Sequence, residues 1–167
     1  MKILFMLTIG GAAIFCDLSQ RRIPNPLITA GFLLGIAWQW SVKGPPGLVD
    51  FAVGALLPLL ILSPLHYFKM LGAGDIKLFM VAGGLLGSLA AVKCIVISFL
   101  IAAVFAVCIL FKHRILIQRL NYFVRYLQHL LESKVWEPYI QPEEDAAYLH
   151  FSIPIVISCL CMMGGLL

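Results

Sequence analysis

Charged residues are scarce in this sequence. Asp, Glu, Lys and Arg together make up 12% of its 167 residues, whereas a soluble domain has roughly 25%. So few charges cannot cover a surface that faces water, which argues against a soluble globular enzyme, a disordered protein and a nucleic-acid-binding module. Hydrophobic residues make up 62%, and the mean hydropathy is +1.00. The composition therefore predicts a protein of the lipid bilayer with no nucleic-acid partner.

The sequence also lacks a C-x-x-C pair. Its five cysteines are Cys16, Cys94, Cys108, Cys159 and Cys161, and four of them lie inside apolar runs. A thiol in such a run behaves as a small hydrophobic group. The pattern argues against a zinc site or a disulfide framework, and we expect no metal and no cofactor.

Long hydrophobic runs, in contrast, are abundant. A helix needs roughly 20 apolar residues to cross a bilayer, or about 17 where the bilayer thins. Six stretches approach this length: residues 3–16, 27–42, 48–65, 78–92, 94–111 and 149–167. The first resembles a secretory or lipoprotein signal, but the bulky Phe15 precedes Cys16 where cleavage sites need a small side chain. We expect a retained first helix and an all-α fold with about six transmembrane helices.

Basic residues are distributed unequally between the predicted loops. With the N-terminus outside, the inside segments carry nine of the twelve Lys and Arg residues, and the outside segments carry three. The inside set is Arg21, Arg22, Lys69, Lys77, Lys112, Arg114, Arg119, Arg125 and Lys134, and the outside set is Lys2, Lys43 and Lys93. Because positive residues accumulate on the cytoplasmic side, we predict that the N-terminus lies outside. Trp38 and Trp40 then end the second span in the outer aromatic belt.

One sizeable loop, residues 112–148, lies on the predicted cytoplasmic side. Its first part has an apolar and a polar stripe, each stepping by three or four residues as in an amphipathic helix. The apolar stripe is Leu116, Leu120, Phe123, Leu127 and Leu130; the polar stripe is Arg114, Gln118, Asn121, Arg125, Gln128 and Glu132. This helix either continues the fifth span or lies on anionic lipid. After Pro138 and Pro142, the acidic residues 143–145 either form a solvated loop or attract a basic peptide.

Acidic residues are rare before this loop, where only Asp17, Asp50 and Asp75 occur. Asp50 opens the third span, and a helix N-cap role explains it. Asp17 follows the first span and Asp75 precedes the fourth, so two crossings separate them. An even number of crossings puts both aspartates on the same membrane face, whichever way the chain is oriented.

Two carboxylates held close together on one face indicate acid–base chemistry. They cannot both ionise cheaply, so one keeps a proton while the other acts as a base. Such a pair can activate a water against a peptide carbonyl and then protonate the leaving amine. Ionisable groups at membrane depth are functional candidates, although each aspartate is also compatible with an ordinary charge at a helix end.

Gly72 and Gly74 precede Asp75 in the string Gly72-Ala73-Gly74-Asp75. Glycines permit the close approach of another backbone, which presenting an extended peptide to a carboxylate would require. A glycine pair before a helix is also common in ordinary turns. The spacing alone leaves both interpretations open.

Together, the two aspartate segments resemble a known family. Gly72-Ala73-Gly74-Asp75 at the start of a predicted transmembrane helix resembles the G-x-G-D motif of membrane aspartyl proteases. The segment Asp17-Leu18-Ser19-Gln20-Arg21-Arg22-Ile23-Pro24-Asn25 is similar to the other motif of the type IV prepilin peptidases, an Asp followed by basic residues and then Ile-Pro-Asn. With Lys77 and the six-span layout, the resemblance covers nearly the whole chain.

The resemblance implies an endopeptidase of the bacterial inner membrane that removes the short basic leader of type IV prepilins or pseudopilins at the cytoplasmic face. It implies that Asp17 and Asp75 are catalytic. It also implies motif or substrate-positioning roles for Gly72, Gly74, Lys77, Arg21, Arg22, Pro24 and Asn25. We expect residues 1–167 to form one membrane-embedded peptidase domain, similar to the short family members without the methyltransferase domain. The sequence leaves the formation of a homo-oligomer open.

The sequence departs from the family pattern before the last span. The family often has Pro-aromatic-Gly there, whereas this chain has His150-Phe151-Ser152-Ile153-Pro154, which puts a role for this segment in doubt. Lys77, Arg21 and Arg22 act either as substrate contacts or as anchors at the inner face.

The roles of the two aspartates follow from their places on the helices. The helix macrodipole favours a charged carboxylate at a helix start and a protonated one at a helix end. We therefore predict that Asp75 is the base and Asp17 the acid.

The rival class is a proton-coupled transporter or channel component with Asp17 and Asp75 as a proton relay. Such proteins place their carboxylates near the midplane and often have repeated halves. In this sequence both aspartates lie at helix ends and we find no internal repeat, so the peptidase interpretation is favoured.

Overall fold

A computed structural model describes residues 2–68, 70–112, 114, 116–133 and 149–164 of the chain. These residues form seven helices: α1 (Lys2–Gln20), α2 (Asn25–Lys43), α3 (Pro45–Tyr67), α4 (Ala73–Leu86), α5 (Ser88–Lys112), α6 (Leu116–Ser133) and α7 (Ser152–Met163). No strand occurs in these ranges, so the predicted all-α fold is confirmed. The predictions for Lys69, Lys134, Pro138, Pro142 and the acidic residues 143–145 lie outside the described residues.

Three of the described helices, α1, α3 and α5, are long and apolar enough to cross a membrane, and α7 is a shorter apolar helix. Large apolar side chains point away from the bundle: Phe15, Leu60 and Leu89 are 73%, 73% and 75% exposed. Apolar surface of this kind is unfavourable in water and suits hydrocarbon. The helices therefore fit a membrane protein, while the six spans and the outside N-terminus stay predictions.

Helix α4 lies at the centre of the bundle and packs against α2, α3, α5 and α7. Its residues Leu78, Phe79 and Val81 are at most 1% exposed. Gly83 faces Gly54 of α3 so closely that a Cβ on either glycine would overlap the carbonyl oxygen of the other. Small residues let membrane helices approach one another in this way. The tight packing of α4 fixes the position of its first turn, which carries Asp75.

Helix α7 packs against α1 and α5. Ser158 of α7 is fully buried, and its Oγ lies 2.6 Å from Ser98 Oγ and 3.0 Å from Cys94 Sγ, both on α5. Polar contacts of this kind hold helices together inside an apolar bundle. They fix α7, and with it the first residue of that helix, Ser152.

The predicted boundary between the fourth and fifth spans is wrong. Helix α4 ends at Leu86 and α5 begins at Ser88, whereas the apolar pattern predicted a break at Lys93. Gly87, between the helices, has φ +94°, a conformation that glycine adopts without steric cost. Residues 88–92 are nearly as apolar as their neighbours, so the pattern conceals the turn. Lys93 lies inside α5 with an exposed side chain.

The prediction that Asp50 caps the third span is also wrong. Helix α3 begins at Pro45 and follows the N-cap residue Gly44, so Asp50 lies inside the helix. The earlier start has a local cause, because proline is favoured in the first turn, where a backbone N–H has no helical partner. Asp50 Oδ2 instead accepts a hydrogen bond from Lys43 Nζ at 2.6 Å.

The predicted helix of the cytoplasmic loop is present as α6, Leu116–Ser133. Arg114, between α5 and α6, has φ +56°, outside the helical region. Helix α6 is therefore a separate helix and not a straight continuation of α5. Its placement on anionic lipid stays a prediction.

Candidate active site

Asp17 lies in the last turn of α1 and is 5% exposed. The helix closes at Arg21, whose backbone N–H donates to the Asp17 carbonyl oxygen at 2.9 Å. Arg21 has φ +51°, the left-handed conformation that commonly ends a helix. The Asp17 carboxylate is consequently buried at the point where the chain leaves α1.

Two residues, one before α7 and one at its start, approach the Asp17 carboxylate. The hydroxyl of Ser152, which is 0% exposed, donates to Asp17 Oδ2 at 2.6 Å. His150 Nδ1 lies 3.5 Å from the same oxygen and forms an ion pair with it only when the imidazole is protonated. The segment whose role the sequence put in doubt therefore contacts the candidate catalytic aspartate. The sequence signal was a hydroxyl at the start of an apolar helix, and the prediction missed it.

Asp75 is the third residue of α4, whose N-cap is Gly72. Its carboxylate accepts a hydrogen bond from the Gly72 backbone N–H, as the third helical residue does in a capping box. A Cβ at position 72 would lie 2.9 Å from Asp75 Oδ2, so a larger residue there would displace the carboxylate. A Cβ at Gly74 would lie 3.2 Å from Ile23 Cβ. Gly74 thus lets the start of α4 approach the connection between α1 and α2.

Asp75 lies outside the three helices of membrane-spanning length and before the predicted fourth span. Burial raises the pKa of Asp75 from 3.8 to about 7, the charge of Asp17 raises it too, and the Gly72 hydrogen bond opposes the rise. A change of this size corresponds to about 4 kcal/mol, whereas a helix end contributes about 0.3–1 kcal/mol. Burial therefore opposes the macrodipole at Asp75 and favours a protonated carboxyl there, which argues against the prediction that Asp75 is the base.

Both carboxylates line one cavity of about 530 Å³. All nine residues that the sequence singled out line it: Asp17, Arg21, Arg22, Pro24, Asn25, Gly72, Gly74, Asp75 and Lys77. Gln20, Ile23 and Ala73, which the sequence did not single out, complete the wall. One side of the cavity is the connection between α1 and α2, and the other is the first turn of α4 with the residue before it. We call this end of the bundle the aspartate end.

A hydrogen bond joins the two sides of this cavity. Lys77 Nζ donates to Asn25 Oδ1 at 2.8 Å. Lys77 therefore connects the segment around Asp75 with the segment that follows Asp17. Together with Arg21 and Arg22, it brings three cations to a cavity that contains two carboxylates.

The chemical groups of the cavity are those that amide hydrolysis by acid–base catalysis requires. It contains two carboxyl groups, and burial together with the charge of the other carboxylate favours a proton on Asp75. A carboxyl group that keeps its proton acts as an acid, and its ionised partner acts as a base. In the ranges that the structure describes, no three His, Cys, Asp or Glu side chains lie close enough to hold a metal ion.

A second, mostly apolar cavity of about 610 Å³ adjoins the first. The two cavities share Asn25, Ala73 and Lys77. The remaining walls of the second cavity come from α2, α3 and α4: Ile28, Thr29, Phe32, Leu59, His66, Ile76 and Met80. The two cavities therefore meet at these three residues.

Comparison with protein families gives one match. The model of the type IV leader peptidase family matches residues 4–109, more than half of the chain. The matched range includes both aspartates and every other predicted site residue, and Ser152 lies beyond it. No curated protein and no solved structure matches the chain.

Proposed function

The chain belongs to the type IV leader peptidase family, and we propose that it is an aspartyl endopeptidase of the bacterial inner membrane. Its proposed substrates are type IV prepilins or pseudopilins, from which it removes the short basic leader at the cytoplasmic face. The observation that best supports this proposal is the shared cavity of Asp17 and Asp75, in which the charge of Asp17 raises the pKa of Asp75.

In the proposed reaction Asp17 is the base and Asp75 the acid. Asp17 takes a proton from a water molecule while the water oxygen attacks the scissile carbonyl carbon, and Asp75 gives its proton to the carbonyl oxygen. The C–N bond of the tetrahedral intermediate then breaks as Asp17 passes its proton to the leaving amine. Asp75 recovers a proton from the intermediate, so the two carboxyl groups again share one proton.

The two adjoining cavities suit the two parts of such a substrate. The peptide around the scissile bond lies in the aspartate cavity, where Lys77, Arg21 and Arg22 hold backbone carbonyl oxygens or acidic side chains. The apolar segment that follows the leader lies in the groove lined by α2, α3 and α4. The shared residues Asn25, Ala73 and Lys77 support this arrangement, because they line both cavities.

The proposal includes one membrane-embedded domain with six spans and an outside N-terminus. The excess of basic residues in the loops at the aspartate end supports this orientation. It puts the proposed active site on the cytoplasmic side, where the leader of a newly made prepilin lies.

Co-expression with a prepilin tests the proposed function. Leader removal is followed by mass spectrometry of the pilin N-terminus for the wild type, Asp17→Ala, Asp75→Ala and Asp50→Ala. We expect each of the first two substitutions to lower cleavage by at least about 10²–10⁴-fold, the range for general acid–base catalysis. Asp50→Ala is the matched control, because this exposed carboxylate pairs with Lys43 and does not line the aspartate cavity. Cleavage that persists in both aspartate variants would contradict the proposal.

The same strains separate the peptidase from the rival proton-coupled transporter. If the wild type leaves prepilins uncut, proton uptake into proteoliposomes becomes the decisive measurement. Uptake that depends on Asp17 and Asp75 would then favour the transporter.

A further inference from the structure

Helix α7 begins with a buried hydroxyl that has an ionisable partner. Ser152 is 0% exposed, and its Oγ donates to Asp17 Oδ2 at 2.6 Å. A hydrogen bond from a hydroxyl to a charged carboxylate is roughly twice as strong as one between neutral groups. The two residues come from opposite ends of the sequence, so only the folded chain brings them together.

The hydroxyl of Ser152 does not cap its own helix. The N-cap of α7 is Phe151, and no side chain forms a capping hydrogen bond there. Serines further along their helices bond to a backbone carbonyl of the preceding turn, as Ser158 does with Ile155 and Ser98 with Cys94. Serine side chains within helices usually form such local bonds. Ser152 instead donates across the bundle to Asp17.

A buried carboxylate requires donors. Asp17 is 5% exposed, and a charge that is removed from water is costly unless hydrogen bonds compensate it. The ionisable groups around it are Asp75 and Lys77 on α4, Arg21 and Arg22, which all line the same cavity, and His150 before α7. Of these groups, Asp75 repels the charge of Asp17 when it is ionised, whereas the hydroxyl of Ser152 donates to the Asp17 carboxylate.

We infer that Ser152 is a positioning residue for Asp17: its hydroxyl fixes one carboxylate oxygen, which leaves the other oxygen to take a water. The role of this contact in catalysis rests on the proposed function, whereas the hydrogen bond itself is a feature of the structure. The inference assigns a role to the start of α7, which lies outside the segment that matches the family model.

Removing the hydroxyl should slow the reaction. Without this donor, the Asp17 carboxylate is no longer fixed, and a misplaced base lowers the rate. We expect Ser152→Ala to lower kcat by about 10- to 100-fold, the effect of losing one hydrogen bond to a charged group. KM changes little because the contact does not touch substrate.

The test compares Ser152→Ala with Ser158→Ala, using purified protein over a range of prepilin concentrations. Ser158 is the matched control, because it is a fully buried serine of the same helix that contacts Ser98 and Cys94 instead of Asp17. Ser158→Ala is expected to keep the kcat of the wild type. Equal kcat values for the two variants, or a loss in Ser152→Ala that is confined to KM, would overturn the inference.

A variant that preserves volume serves if Ser152→Ala is not recovered from membranes. Ser152→Cys fills nearly the same space with a weaker donor, so its kcat should also lie below that of the wild type. A kcat equal to that of the wild type would overturn the inference.

A measurement without substrate separates this inference from the proposed function. In a double-mutant cycle, Ser152→Ala should lower the Tm of the wild type by about 3–12 °C and leave the Tm of Asp17→Ala nearly unchanged. Coupling in Tm together with no cleavage by the wild type would contradict the proposed function and retain the contact. Equal Tm losses in both backgrounds would overturn the contact itself.

Discussion

The two ends of the bundle hold the same kinds of charged residues in different surroundings. At the end opposite the aspartate cavity, Asp50 pairs with Lys43 at 2.6 Å while both side chains are about half exposed. At the aspartate end, Asp17 is 5% exposed and raises the pKa of a second carboxyl, Asp75. An exposed ion pair contributes roughly 0–1 kcal/mol, whereas two buried carboxyl groups must share a proton. Burial and like charge therefore mark the candidate site better than the number of charges does.

Glycines differ between the two ends in the same way. Gly44 and Gly87 at the opposite end have φ of +65° and +94°, and a Cβ on either would meet nothing within 4 Å. They are required by the backbone conformation of a turn. Gly72 has an ordinary φ of −69°, so its backbone conformation does not require glycine. The lack of a Cβ matters here because a Cβ would meet the Asp75 carboxylate. One end uses glycine to turn the chain, and the other uses it to position a functional group.

The largest effect is expected from filling the space at Gly72. Gly72→Ala puts a Cβ 2.9 Å from Asp75 Oδ2, and the carboxylate is the part that moves because it is the end of a flexible side chain. A displacement of about 1 Å can cost about 10²-fold in rate, so we expect kcat for prepilin cleavage to fall by about that factor with little change in Tm.

Gly11→Ala is the control for this substitution. Gly11 lies within α1, and a Cβ there would meet nothing within 4 Å, so activity should stay at the level of the wild type. Full activity of Gly72→Ala would show that the contact with Asp75 does not set the geometry of the site.

The next effect is a loss of activity as the pH rises. Because the pKa of Asp75 is raised to about 7, the proposed acid loses its proton above this pH. We expect kcat to fall about tenfold for each pH unit above about 7. A rate profile of the wild type with purified prepilin measures this limb, and a constant kcat up to pH 9 would contradict Asp75 as the acid.

The same protonation should be visible in stability without substrate. A raised carboxyl pKa means that the folded chain binds the proton more tightly than the unfolded chain does. The stabilisation is complete below pH 3.8 and is lost as the pH rises to about 7. Asp75→Asn should abolish this dependence of Tm on pH. Asp50→Asn should retain it, because Asp50 is an exposed residue at the opposite end.

Much of the aspartate end followed from the sequence. The segments around Asp17 and Asp75 are short and contiguous, and the two helices between them, α2 and α3, return the chain to the same end of the bundle. All nine predicted residues line a single cavity because local spacing around two helix ends sets their positions. Prediction succeeded where the relevant contacts are close in sequence or follow from counting spans.

The remaining features depend on contacts or conformations that an apolar pattern does not encode. The turn at Gly87 lies in an apolar stretch, so only the backbone conformation reveals it. The bond between Ser152 and Asp17 joins residues 135 positions apart. The predicted roles of the two aspartates rest on the macrodipole, which is a local effect, whereas the burial of Asp75 results from the packing of the whole bundle.

The smallest effect is expected at the opposite end, and it tests whether the two ends are independent. Lys43→Ala removes the ion pair with Asp50, whose side chains are 50% and 49% exposed, so water and salt already screen most of the attraction. We expect a loss below about 1 kcal/mol, a Tm shift below about 4 °C, and unchanged prepilin cleavage at any pH. A shift in the alkaline limb of Lys43→Ala would mean that a charge at the far end of the bundle influences the proton on Asp75. In that case the exposed ion pair and the two carboxyl groups of the aspartate cavity would not be independent. The charges of the bundle would then have to be treated as one coupled set.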